Sequence, residues 1–177
     1  DVAKLLKNSA SPDLLKSFYE AYNQLGFGYI INHGIDSALI EKVFDASNRF
    51  HAMHLSEKMK VALDHKHRGY IAINTSTDVN SKLETIKKPN QSASFMTMRE
   101  DKIEDPKIYL SGPNQWPELE NFRDVIEEYT TKLEELANNL LRTALLSTGV
   151  TDLSVMKAFE KPTTWLRLLH YPSLASD

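Results

Sequence analysis

The chain has 177 residues, 41% hydrophobic and 25% charged, with a net charge of −3 and no cysteine. That is the composition of an ordinary globular protein; it excludes a basic field for nucleic acid, a disulfide framework and a thiolate metal site. No apolar run reaches the roughly 18 residues a membrane helix needs and the first residues lack the order of a signal peptide, so the expected setting is cytoplasmic, with no membrane or nucleic-acid partner.

Ser11-Pro12-Asp13 reads as a helix start, a cap followed by proline at the first helical position. Leu14, Leu15, Phe18, Ala21, Tyr22 and Leu25 follow at helical spacing, and Gly26 ends the helix. Phe27 to Ile31 is aromatic and β-branched, the pattern of a short buried strand. Asn32-His33-Gly34 is a turn, in which His33 is expected to serve by a hydrogen bond. Asp36 or Ser37 then caps a second helix, with Leu39, Ile40, Val43, Phe44, Ser47 and Phe50 as its apolar face.

Arg68 to Ile73 reads as a strand after a glycine turn, and Lys82 to Ile86 as a weaker one. Asn90 to Asp105 is polar and irregular, which predicts a loop. From Pro117 to Thr148 apolar residues recur at steps of three and four, with Glu120, Arg123, Glu127, Glu134 and Asn138 on the other face. This predicts a long amphipathic helix closed by Gly149. Trp116 and Arg123 are expected to anchor its start. A short helix near Asp152–Phe159 precedes a strand over Thr163–Tyr171, stopped by Pro172. Arg167 in that strand is expected to meet a carboxylate, because a buried unpaired cation is costly.

Several of these segments resemble one family in order and spacing. Gly26-Phe27-Gly28-Tyr29-Ile30-Ile31-Asn32-His33-Gly34-Ile35 resembles the "GFF-x-x-x-NHGI" signature of the isopenicillin N synthase-like iron(II)/2-oxoglutarate-dependent oxygenases. Phe50 with Leu55–Lys60 resembles their "F-F-x-L-P-x-E-x-K" segment, with His51 and Ser56 departing from it. Arg68-Gly69-Tyr70 resembles an "R-G-Y" turn, and Lys82–Ile86 a "D-x-K-E-x-F" strand. Gly112-Pro113-Asn114-Gln115-Trp116-Pro117 with Phe122-Arg123 resembles the "G-x-N-x-W-P … F-R" entry to a long helix. Leu166 to Pro172 resembles the first core strand, often "L-R-x-x-x-Y-P".

The resemblance implies an α+β protein: a helical N-terminal region whose strands belong to a double-stranded β-helix (jelly-roll) core. Residues 1–115 would form the N-terminal region, and 116–177 the long helix with the first core strand. It implies iron(II) and 2-oxoglutarate as cofactors, O2 as co-reactant and a small-molecule substrate that is hydroxylated, desaturated or cyclised. Two histidines and one carboxylate suit such iron because they leave positions open.

Tyr171 sits where family members place a tyrosine whose hydroxyl donates to the distal carboxylate of 2-oxoglutarate; the competing reading is a core tyrosine at the rim. Leu169 stands where many members have asparagine. Arg68 and Tyr70 match a turn at the substrate mouth, against a purely structural turn. Glu84 supports a strand or faces the pocket.

None of the six histidines begins a His-x-Asp pair. No catalytic or metal-binding residue is therefore assigned. Asp1-Val2 resembles the end of the family's first strand, and the chain stops five residues past Pro172. The expectation is a segment of a longer enzyme, inactive by itself; the alternative is a non-catalytic homologue that binds a ligand or partner. His51, His54 and Glu57, if on one helix face, have a spacing that suits metal ligands, against a solvated helix face.

Overall fold

The computed structural model describes residues 1–5, 10–75 and 89–173. It is a mixture of helices and one antiparallel sheet. The helices are α1 (Pro12–Glu20), α2 (Ser37–Ala52), α3 (Leu55–Met59) and α4 (Phe122–Ser147). The strands β1 (Gly69–Ile71), β2 (Ala93–Met98) and β3 (Trp165–His170) lie in the order β1-β2-β3. Among the described residues no helix is long and apolar enough to cross a membrane. The expected strand at Lys82–Ile86, with Glu84, lies outside the described residues.

The chain forms two compact units, residues 1–43 with 125–162 and residues 44–124 with 163–177. Each is built from stretches distant in sequence.

The helical unit follows local rules closely. Ser11 Oγ accepts from Leu14 N at 3.3 Å, capping α1 as expected. The chain then widens into a π-helical turn over Ala21–Leu25, which Gly26 ends at φ 81°. Val2, Leu5 and Leu136 form the core, with Leu14, Ile30, Ile35 and Leu140 packed against it. Asp36 is the residue that caps α2, its Oδ1 accepting from Ala38 N at 2.9 Å. Gly149, at φ 84°, follows α4, and Val150 N donates to Leu145 O at 3.1 Å.

The expected strand at Phe27–Ile31 does not form. This extended segment receives a main-chain bond from Val2 N to Ile31 O at 3.0 Å. Ile30 still turns to the core while Phe27, Tyr29 and Ile31 are exposed, Tyr29 by 95%. The period of two is present, but a strand also needs a neighbour to pair with, and none does so among the described residues. The turn after it is as read: Asn32 and Gly34 have positive φ, and His33 Nδ1 accepts from Ile35 N at 3.2 Å.

The sheet unit departs further from the sequence reading. Asn90–Asp105 is not all loop, for it contains the central strand β2. Serine and threonine give β2 a polar look, yet Ser94 and Thr97 are buried with Ala93, Phe95 and Met98. Phe95 lies opposite Tyr70 on one side and Leu168 on the other. Phe50, at the end of α2, meets the Phe95 ring at 4.8 Å, Phe122 at 5.5 Å and Tyr70 at 5.7 Å. The buried stripe of α2 is Leu39, Val43, Ala46 and Phe50; Phe44, assigned to that face, is 66% exposed.

Candidate functional site

The site grows from β3. Strand alternation places Leu166, Leu168 and His170 on the face shared with Phe95 and Tyr70. Trp165, Arg167 and Leu169 take the other face, all exposed, and Tyr171 continues that row just past the strand, 72% exposed. Among the described residues Arg167 does not meet the expected carboxylate: its Nε donates to Ser94 Oγ at 2.9 Å. An exposed guanidinium avoids the desolvation that would have demanded an ion pair. The Tyr171 hydroxyl, a phenol at an open strand end, suits donation to a carboxylate oxygen.

Arg68 and Tyr70 lie inside the sheet unit, only 1% and 4% exposed. Arg68 Nη1 donates to Lys66 O at 3.2 Å and Nη2 to Arg99 O at 3.1 Å. Its Nε has no hydrogen-bond partner among the described residues. Burial lowers the pKa of this guanidinium and raises that of the Tyr70 phenol. Between them Gly69, at φ 113°, passes so close to the preceding loop that a Cβ there would collide with the Val61 carbonyl oxygen. Asp64 Oδ1 closes the turn by accepting from Lys66 N at 2.9 Å and Arg68 N at 3.0 Å.

The metal-site spacing of His51, His54 and Glu57 is not realised. α2 ends at Ala52, and His54 starts a new helix: its Nδ1 caps α3, accepting from Ser56 N at 3.3 Å. Among the described residues no three His, Cys, Asp or Glu side chains gather to hold a metal ion. By themselves these residues do not make an iron centre.

His51, read from the sequence as a departure from the family pattern and as one of three residues at metal-ligand spacing, has a different place in the structure. It is 7% exposed, and its Nε2 lies 3.3 Å from Leu168 O. Its ring stacks on His170 at 4.9 Å and 15°. Burial lowers its pKa to about 4, the Leu168 carbonyl opposing, with the charges of His170 and Lys58 lowering it further. The available signal was the departure from a second phenylalanine at this position.

Residues 1–119 match a family model described as the N-terminal region of the non-haem dioxygenase in morphine synthesis. The chain belongs to this family. A 2-oxoglutarate-dependent dioxygenase, tropC, of Talaromyces stipitatus is 29% identical over 97% of this chain and 56% of its own length. A 2-oxoglutarate-Fe(II) type oxidoreductase, hxnY, of Emericella nidulans is 30% identical, over 96% of this chain and 50% of its own. The chain thus spans about half the length of the curated relatives it matches. The crystal structure of a full-length Neurospora crassa protein in complex with α-ketoglutarate and thymine shares the fold, with TM-score 0.77, 24% identity and coverage of 97% of this chain and 54% of that one.

In this dioxygenase N-terminal region the segment Gly112–Pro117 acts as a bracket. Asn114 Oδ1 accepts from Met98 N at 2.9 Å and its Nδ2 donates to Met98 O at 2.7 Å, as a neighbouring strand would. Gln115 Nε2 donates to Ala62 O and to Arg68 O, both at 2.8 Å. Trp116 Nε1 donates to Glu100 at 3.3 Å, and the Arg123 guanidinium lies 5.4 Å from the Trp116 ring, anchoring the start of α4 as expected.

Proposed function

We propose that the polypeptide carrying this chain is an iron(II)- and 2-oxoglutarate-dependent dioxygenase that oxidises a small organic molecule with O2. In this reading β3 is the first strand of a double-stranded β-helix core, and the Tyr171 hydroxyl donates to the distal carboxylate of 2-oxoglutarate. The observation that carries it is the open phenol at the end of β3, in a chain whose first 119 residues belong to the dioxygenase family. When bound, the iron and its cosubstrate supply the oxidising chemistry, with succinate and CO2 released. Arg68 and Tyr70 stand on the substrate side; their burial makes them supports of the turn that shapes it.

The test is 2-oxoglutarate turnover by the full-length polypeptide with iron(II) and ascorbate, read as succinate. Tyr171→Phe is expected to raise the KM for 2-oxoglutarate about tenfold, the loss of one hydrogen bond to a charged group. No succinate and no measurable 2-oxoglutarate binding would defeat the reading.

A further inference from the structure

His51 combines three observations within the sheet unit. It is buried at the end of α2, its Nε2 faces Leu168 O, and its ring lies flat on His170. A carbonyl only accepts, so Nε2 carries the hydrogen and Nδ1 is a bare lone pair. That Nδ1 is buried without a hydrogen-bond partner among the described residues. An apolar ring, such as the phenylalanine of the resembled pattern, would fill the space without leaving a polar atom unpaired. What the imidazole adds is a donor to the strand.

The surroundings favour the neutral ring. Lys58 of α3 donates from Nζ to His51 O at 2.7 Å and lies 5.4 Å from the Tyr70 ring of β1. His170 of β3 covers the other side. A second cation in this slot would face Lys58, and among the described residues no carboxylate contributes to its environment, in keeping with the lowered pKa.

We propose that His51 is a positioning residue: its bond to Leu168 O and its stack on His170 hold β3 so that Tyr171 presents its hydroxyl to the cosubstrate. The proposal rests on the 2-oxoglutarate reading of Tyr171. Buried Leu168 and the more exposed His170 are the two residues nearest Tyr171 on the face of β3 shared with Phe95, so a hold on both restricts the strand just before Tyr171.

The experiment compares His51→Phe and His51→Gln with the parent full-length polypeptide. Phenylalanine keeps the ring and removes the donor; glutamine restores an N–H that can reach the carbonyl. The first readout is amide hydrogen exchange at neutral pH without cosubstrate. His51→Phe should exchange about fivefold faster over residues 165–171, the loss of one net hydrogen bond, with β1 unchanged and glutamine restoring the parent rate. The second is steady-state turnover, where His51→Phe should raise the KM for 2-oxoglutarate severalfold while kcat stays within about twofold.

Unchanged exchange over β3, or an equal rise across the whole sheet unit, would overturn the proposal. So would faster exchange over β3 with an unchanged KM, provided Tyr171→Phe does raise KM. If Tyr171→Phe leaves KM unchanged, the cosubstrate reading fails instead, and exchange alone decides whether His51 holds the strand.

Discussion

The helical unit buries Val2, Leu5, Phe18, Leu39, Val43, Ile126 and Leu136, with Thr143 as a polar member whose hydroxyl donates to Asn139 O. The sheet unit buries the polar His51, Arg68, Ser92, Ser94, Thr97 and Ser111 as well as the rings of Phe50, Tyr70, Phe95 and Phe122. One interior is held by apolar stripes on helices, where one hydrophobic side chain can replace another of similar volume at modest cost. The other depends on particular donors and acceptors, each of which costs when its partner is removed. The proposed cosubstrate strand belongs to the second kind, which suits a site that must hold a phenol in one place.

Substitutions can break this contrast. The largest effect is expected from Phe50→Ala, which empties the centre of the aromatic cluster; about 3 to 5 kcal/mol of stability should be lost in urea denaturation. A cost below about 1 kcal/mol would mean that the cluster is not the core of the sheet unit. Asn114→Ala should cost roughly 2 kcal/mol, because it strips the partners from Met98 N and O at the end of buried β2. A neutral result would show that water replaces the bracket.

Acid should act through His51. Its pKa is about 4 in the fold against an ordinary 6.5, so above pH 6.5 both folded and unfolded forms are neutral there. As pH falls from 6.5 toward 4 the unfolded chain takes up a proton that the fold refuses, and stability drops; below 4 no further loss comes from this group. Lys58 and His170 face the same ring and act in the same direction. Between pH 6.5 and 5 the parent should lose about 1.5 kcal/mol more than His51→Phe. Parallel stability curves for the two would refute the buried neutral imidazole.

In the helical unit, Ser11→Ala should cost about 1 kcal/mol through loss of the α1 cap. At the start of the sheet unit, Phe44→Ser should change stability by less than about 0.5 kcal/mol, since that ring is already in solvent. A large cost at Phe44 would restore it to the apolar face read from the sequence.

Ser11, Asp36, Gly26 and Gly149 were legible because a cap or stop is local chemistry that needs no distant partner. The long helix was legible for the same reason, although it begins at Phe122 rather than Pro117. Gly112–Pro117 stood out as a motif, but its bonds to Met98, Ala62 and Arg68 could not be read from it. β2 was missed because its serine and threonine hide a strand that the fold buries.

Taken alone, the amino-acid sequence determined α1, α2 and α4, the caps and stops at Ser11, Gly26 and Gly149, and the family likeness, all written in neighbours a few residues apart. Tertiary structure decided that Phe27–Ile31 has no ladder among the described residues and that Ser94 and Thr97 belong to a central strand. It also decided that Arg68 and Tyr70 lie inside, and that His51 meets Leu168 across 117 positions. Pairing and burial are relations between distant segments, and nothing short of the folded chain brings those segments together.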